Sequence, residues 1–373
     1  MLPGVIYMMK SFDDLIKRPV TWLSGEGEHA NVVLSSRIRL ARNLAKHRYP
    51  VRAEPDEARE VVELVRTVVD RSALVNEGIF FSSESLSSVD REILIERHLI
   101  SPEFMRDDAP RGLFIDDDEA SSLMVNEEDH LRIQAVRSGL DIHQALVRAR
   151  AIEAYLAEGL DFDCDTRLGF LTACPTNVGT GLRVSVMIHL PALVLTKEMD
   201  AVLSQVNKFG VGVRGFYGEG SDVLGNLFQI SNQTTLGRTE EDLVDSLEKV
   251  TRQLLMYEEN ARRRLFTDAP NHIRDKLWRA FGILANARVL SSQEVMNLLS
   301  AVRLGVAMGE SMGLDLRQVN ELMLLVQPAH LQRHFDKEMT PEERDVARAE
   351  LVRKMLTRKR PSRRRGSKSS GEN

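Results

Sequence analysis

The residue pattern of this chain changes once, near residue 240, and that change limits the folds open to it. Before it, strand-like runs alternate with helices. Asn31 to Asn43 begins as a strand, and further short strands read at 112–115, 122–125, within 163–190, within 210–219 and at 227–231. Helical patterns fall at 11–17, 55–70, 90–98 and 141–158; in the second, Val61, Val62, Leu64, Val65 and Val68 form one apolar stripe. After the change no strand is legible. Thr239 with Asp242 three residues on starts a long helix toward Arg264, and helices follow at 271–286, 292–308 and 315–326. A last one opens at Thr340-Pro341-Glu342-Glu343, with proline and acids in the first turn. The expected class is α+β, with a lead-in over 1–30, a mixed domain over 31–255, an all-α domain over 256–358 and a basic tail over 359–373.

Charge is uneven along this architecture. Net charge is −5, yet residues 351–371 carry nine Lys/Arg and no acid, leaving −14 (−5 less nine) elsewhere. The tail can be a solvated end or a contact for anions; direct nucleic-acid binding is not expected to be the main role. No apolar run approaches the roughly 20 residues that span a bilayer. Met1 to Lys10 lacks a basic n-region and a cleavage-like site, so no signal peptide is expected. Cys164 and Cys174 supply neither a disulfide framework nor a four-ligand zinc site. A cytoplasmic location, no membrane and no protein-bound metal site are the expectations.

Residues 174–183 form an irregular turn between two extended runs, punctuated by Pro175, Gly179 and Gly181. They present the Cys174 thiol beside Arg183. The thiol is either a small buried apolar residue or a reactive group that neighbouring cations favour as thiolate. Arg37, Arg39, Arg132, Arg183 and Arg214 stand at strand or turn positions; Arg37 and Arg39 share a face if extended. Singly, each is an ordinary surface residue. Gathered, they form a cage for polyphosphate, because guanidinium groups grip phosphate oxygens bidentately. Glu128 and Glu219 lie beside members of the set, which suits phosphoryl transfer. Neither a Gly-x-x-x-x-Gly-Lys-Ser/Thr loop nor the protein-kinase motif set occurs.

Ser35-Ser-Arg-Ile-Arg39, Asn126-Glu-Glu-Asp-His-Leu-Arg132, Cys174-Pro-Thr-Asn177 and Arg214-Gly-Phe-Tyr-Gly-Glu219 stand in the order seen in the guanidino (phosphagen) kinases. The chain resembles that family over about residues 31–235. The resemblance implies an antiparallel sheet flanked by helices, with ATP and Mg²⁺ as cofactors. It implies catalytic roles for Glu128 and Glu219, which align and deprotonate the guanidinium, and for Cys174, which contacts it as thiolate. Nucleotide contacts are implied for Ser35, Ser36, Arg37, Ile38 and Arg39; for His98 and Arg132; for Arg183, Val184, Ser185, Val186 and Met187; and for Arg214, Gly215, Phe216, Tyr217, Gly218 and Glu219.

Only 34 residues precede Ser35, where small-molecule guanidino kinases carry a helical lid, and a helical domain follows instead. This arrangement resembles the bacterial protein-arginine kinases of the McsB type. Arg344-Asp-Val-Ala-Arg-Ala349 is similar to that family's phosphoarginine-binding motif; Arg344, Asp345 and Arg348 would form an allosteric pocket, the two arginines sharing one helix face. The resemblance implies arginine-containing protein substrates. It also implies partners among Clp protease/chaperones, a heat-shock repressor and a zinc-binding activator, and a stress-response role; the apolar faces of the helical domain suggest a homodimer. Two readings compete: a small-molecule arginine or creatine kinase, and a non-catalytic phosphoarginine reader.

Overall fold

The computed structural model describes residues 11–71, 78–105, 109–207, 210–215 and 224–357. Its centre is an eight-stranded sheet in which every neighbouring pair is antiparallel. In spatial order the strands are β2 (Gly78–Ser82), β3 (Gly112–Asp116), β4 (Ser121–Val125), β5 (Leu131–Ser138), β1 (Val33–Arg42), β8 (Leu182–His189), β10 (Leu227–Asn232) and β9 (Val211–Gly215). A two-residue ribbon, β6 (Cys164–Asp165) with β7 (Gly169–Phe170), lies apart.

Directly paired residues of antiparallel strands project to one side, so the register decides what each face carries. On one side Ile38, Leu40, Leu123, Ile133, Val184, Val186 and Ile230 are buried in a single apolar core. Each contributes about 1.5–3 kcal/mol by leaving water. Three helices cover this side: α2 (Pro55–Asp70), α4 (Ile142–Ala157) and α7 (Glu240–Asp268). Helix α2 presents Val61, Val65, Val68 and Val69, and starts at a proline inside a Glu54/Glu57 capping box. Helix α7 opens on the Thr239/Asp242 capping box and runs unbroken for 29 residues. Residue 255 falls inside this helix, and within the 255–270 region where the boundary is expected the chain breaks at Ala269, before α8 (Pro270–Asn286).

The other helices of this part are α1 (Phe12–Lys17), α3 (Ser88–Glu96), and α5 (Pro191–Leu195) and α6 (Met199–Asn207), which add Leu193 and Val202 to the same core. Beyond α8 come α9 (Ser292–Ala307), α10 (Leu316–Leu325), α11 (Pro328–Phe335) and α12 (Pro341–Thr357). Their core joins Leu277, Val295, Leu299, Leu322 and Val352 to Leu34, Met187 and Leu227 of the sheet. The helical region is thus packed on the sheet rather than tethered to it. Arg303 of α9 secures the junction: it donates to the carbonyls of Ala30 and Asn31, to Asn320 Oδ1 and to His189 Nδ1, at 2.9–3.1 Å. Burial pulls its guanidinium down to about 9, and this full set of acceptors is what makes the charge tolerable there. Among the described residues no helix is long and apolar enough to cross a membrane.

Candidate active site

The side of the sheet opposite α2, α4 and α7 is polar because the same register repeats across six strands. Arg39 sits opposite both Gln134 and Arg183, Arg37 opposite Ser185, Arg132 opposite Met124, and Arg214 opposite Gln229. Arg37, Arg39, Arg132, Arg183 and Arg214 therefore share one face. A cavity of about 1300 Å³ opens over it, lined by Arg37, Arg39, Arg132 and Arg214 together with His98, Glu127 and Glu128. A small recess beside it is lined by Ser35, Ser185 and Met187.

Four residues expected with the site face away from it. Ile38, Val184 and Val186 are fully buried in the core beneath the sheet, one residue out of phase with the arginines. Ser36 is turned the same way; its hydroxyl donates to Gly139 O at 2.9 Å and accepts from Asp141 N at 3.0 Å. Their side chains hold the sheet in place rather than reach the cavity. Gly215 ends β9 opposite Phe228. Phe216, Tyr217, Gly218 and Glu219 lie outside the described residues, as does the basic tail.

The arginine face is electrostatically uncomfortable without an anion. Arg37 donates to Ser185 Oγ at 3.3 Å and Gln229 Oε1 at 3.2 Å. Burial, then Arg132 and Arg183, pull it down to about 10. Arg39 is held well below the usual guanidinium range by burial and then by Arg37, Arg132 and Arg183, and its Nε is buried without a partner. Both retain some exposure through the cavity mouth, so water there relieves part of the strain. His98 is pushed down to about 3 by burial, then by Arg37 and Arg39, and stands neutral at physiological pH. Like charges this close call for a polyanion between them.

The carboxylates come from the tight 126–130 connection between β4 and β5. Asn126 takes a left-handed conformation (φ 61°), and its N–H donates to His130 O at 2.9 Å to close the turn. Glu127 turns inward and is bidentate to Arg132, at 2.9 and 2.6 Å. Glu128 turns toward solvent and lies 3.7 Å from Arg132. Burial, then Asp129, raise the Glu128 carboxyl above its ordinary value, while a hydrogen bond with the Cys174 side chain opposes the shift. Cys174 Sγ also lies 3.0 Å from Thr176 Oγ1. Asp129 ties the 126–130 connection to the 171–174 segment and to β1's end: it accepts from Ala173 N and from Asn43 Nδ2, both at 2.7 Å.

Glu127, Asp129 and Asn43 were not singled out by sequence reasoning, nor was Arg111. This further arginine in the cavity donates to Asn126 O and Phe104 O, each at 2.9 Å. The signal for the first two was the dense charge of 126–132; Asn43 and Arg111 carried none. On α12, Arg348 is buried and donates to Val326 O (3.0 Å), Leu290 O (2.7 Å) and Asp345 Oδ1 (2.5 Å). Arg344 donates to Met339 O at 2.9 Å. Asp345 thus pairs with Arg348 on the same helix.

A cation bound with the nucleotide fits this site in one way. Among the described residues no cluster of three potential metal ligands exists. Glu127 is committed to Arg132, so Mg²⁺ would draw its ligands mainly from phosphate oxygens and water, as it commonly does.

Comparison with known proteins agrees with this geometry. The ATP:guanido phosphotransferase C-terminal catalytic domain family matches residues 60–261, and the protein-arginine kinase McsB C-terminal domain family matches 270–367. The protein-arginine kinase of Halothermothrix orenii is 45% identical over 344 residues, covering 92% of this chain and 98% of its own length. That of Moorella thermoacetica is 47% identical over 343 residues, covering 91% and 98%. Among solved structures, a lombricine kinase is similar with a TM-score of 0.56 at 24% identity, over 69% of this chain and 72% of its own. The duplicated taurocyamine kinase of Schistosoma mansoni gives 0.57 at 25%, over 74% of this chain and 41% of its own. The chain is a phosphotransferase that belongs to the protein-arginine kinases, a branch of the ATP:guanido phosphotransferases.

Proposed function

We propose that the protein transfers the γ-phosphate of ATP to arginine side chains of other proteins. The observation that carries this reading is one cavity in which a face of arginines from four strands meets the half-buried carboxylate of Glu128. Its volume of about 1300 Å³ exceeds the roughly 300–1,000 Å³ of ordinary ligand pockets, leaving room for a nucleotide and an incoming side chain.

In this reading the arginines neutralise the polyphosphate and the charge that spreads over the transferring group. Mg²⁺, when bound with ATP, supplies further neutralisation of the phosphate oxygens. A guanidinium nitrogen attacks the γ-phosphorus in line. The N–P bond forms, the bond from phosphorus to the bridging oxygen breaks, and ADP leaves. The guanidinium proton becomes acidic only as the N–P bond forms, and it passes to the Glu128 carboxylate. The upward shift of Glu128 makes it a better acceptor at that moment. Cys174, hydrogen-bonded to Glu128, orients the guanidinium, and Glu219 supplies a second carboxylate. An allosteric phosphoarginine pocket at Arg344, Asp345 and Arg348, a homodimer and action in the cytoplasm among stress-response partners extend the same proposal.

The test uses γ-labelled ATP with an unstructured peptide containing arginine and its counterpart with lysine in those positions. Label on the arginine peptide alone is the expected outcome. Equal labelling of both, or label on neither while free arginine is phosphorylated, would replace the proposal, the latter with a small-molecule guanidino kinase.

A further inference from the structure

One polar cluster outside the catalytic loops reaches the cavity from the helical region. Glu96, the last residue of α3, is buried with both carboxylate oxygens on the start of α11: it accepts from Ala329 N at 2.8 Å and His330 N at 3.1 Å. The same carboxylate lies 2.6 Å from His330 Nδ1. A carboxylate only accepts, so Nδ1 carries the proton and Nε2 keeps its lone pair. That lone pair accepts from Arg97 Nε at 3.2 Å. Arg97 also donates to the carbonyls of Leu15 and Ile16 and pairs with buried Glu119. Two neighbours thus leave His330 a single neutral tautomer, and burial, which lowers its pKa, agrees with that state.

The next residue is His98, on the wall of the cavity beside Arg37. It adopts a left-handed conformation, φ 58°, which a non-glycine residue keeps only where its surroundings hold it. One hold is Gln134, whose Nε2 donates to His98 O at 2.9 Å from the strand position opposite Arg39. The other is the chain itself, anchored one and two residues earlier. We propose that Glu96, Arg97 and His330 form a clasp by which the helical region fixes His98 at the nucleotide cavity, making His330 a positioning residue for ATP. This rests on the nucleotide reading of that cavity given above.

Two variants of the full-length protein separate positioning from simple structural support. His330→Gln places an amide oxygen where Nε2 stood and retains an acceptor for Arg97. His330→Asn places an amide N–H where Nδ1 stood, which keeps the bond to Glu96 but gives Arg97 nothing. Hydrogen bonds to charged groups are the stronger kind, and the Asn variant is expected to raise the KM and Kd for ATP about tenfold with kcat within about twofold. The Gln variant should stay within about twofold of the parent in all three. Trp22 gives a direct signature, since its ring meets His98 edge-on at 5.7 Å. In a Trp278→Phe background, which leaves Trp22 as the one tryptophan, the Asn variant should shift its emission without nucleotide and the Gln variant should not. Unchanged ATP affinity in both variants, or equal losses of kcat and affinity in both with lowered melting temperature, would overturn the clasp. Failure of the unsubstituted protein to bind ATP would instead overturn the nucleotide reading, and the clasp with it.

Discussion

Arg37→Gln should make the protein more stable while weakening its grip on nucleotide. The Arg37 guanidinium is pulled well below its ordinary value, down to about 10, chiefly by burial and then by Arg132 and Arg183. A basic group whose folded pKa is lowered destabilises the fold wherever it is charged in both states, which here is everywhere below about pH 10. At about 1.4 kcal/mol per pH unit the full penalty is roughly 3 kcal/mol, and water at the cavity mouth reduces it to roughly half. Replacement also forfeits the bonds to Ser185 and Gln229. Both are long, and Gln can remake one, so their loss costs about 1 kcal/mol at most. The net expectation is a nucleotide-free protein that is unchanged or up to about 1 kcal/mol more stable, a rise of at most a few degrees in Tm. ATP should stabilise the parent by RT ln(1 + [L]/Kd), about 2.7 kcal/mol at a hundredfold excess over Kd, and the variant far less. Thermal melts with and without ATP, at matched salt, measure both quantities. A variant destabilised by more than about 1 kcal/mol, or one that keeps the parent's full response to ATP, would refute the view that this face is strained toward a polyanion.

Other consequences follow from neighbouring residues. Glu128→Gln should keep ATP affinity within about threefold and reduce transfer by about 10²–10⁴, as loss of a general base does; rapid-quench assays and nucleotide titration separate the two. Because burial and Asp129 raise Glu128, the base should be lost as pH falls, at a pH above the ordinary carboxylate value of 4.5, and a kcat–pH profile whose acid limb lies below that value contradicts the assignment. Asp129→Asn keeps the bond from Ala173 but removes a charge beside Glu128, so the same limb should move to lower pH with ATP affinity unaltered. Arg344→Ala should abolish phosphoarginine binding, read by calorimetry, and spare nucleotide binding.

The arginine face was legible in the sequence because strand alternation puts Arg37 and Arg39 on one side without knowledge of their partners. Their union with Arg132, Arg183 and Arg214 was not, since pairing of β1 with β5 and β8 is long-range register that no local window contains. The same limit explains the four neighbours whose side chains face the core: a contiguous motif such as 183–187 names both faces of a strand, and only the alternate side chains point to the cavity side. Helices with strong caps, at Thr239 and Ser291, were readable to within a few residues. Helix α3 was read two residues late at both ends, 90–98 against Ser88–Glu96; Arg97 and His98 look helical by composition, while His98 takes a left-handed turn. Edge strand β2 and the short α11 carry too little period to stand out. The boundary, read within 255–270, has no sharp local marker because α7 serves the sheet's core for most of its length before α8 begins. Glu127 and Glu128 are adjacent and chemically identical; only the turn separates the one that holds Arg132 from the one that turns toward solvent.

The most direct measurement is phosphate transfer from labelled ATP to a folded arginine-rich protein, set beside an equal concentration of free arginine and followed by an acid wash. Label on the protein that acid removes, that mass spectrometry places on arginine, and that Glu128→Gln abolishes is the predicted result. Acid-stable label on the protein, or label confined to free arginine, would contradict the account.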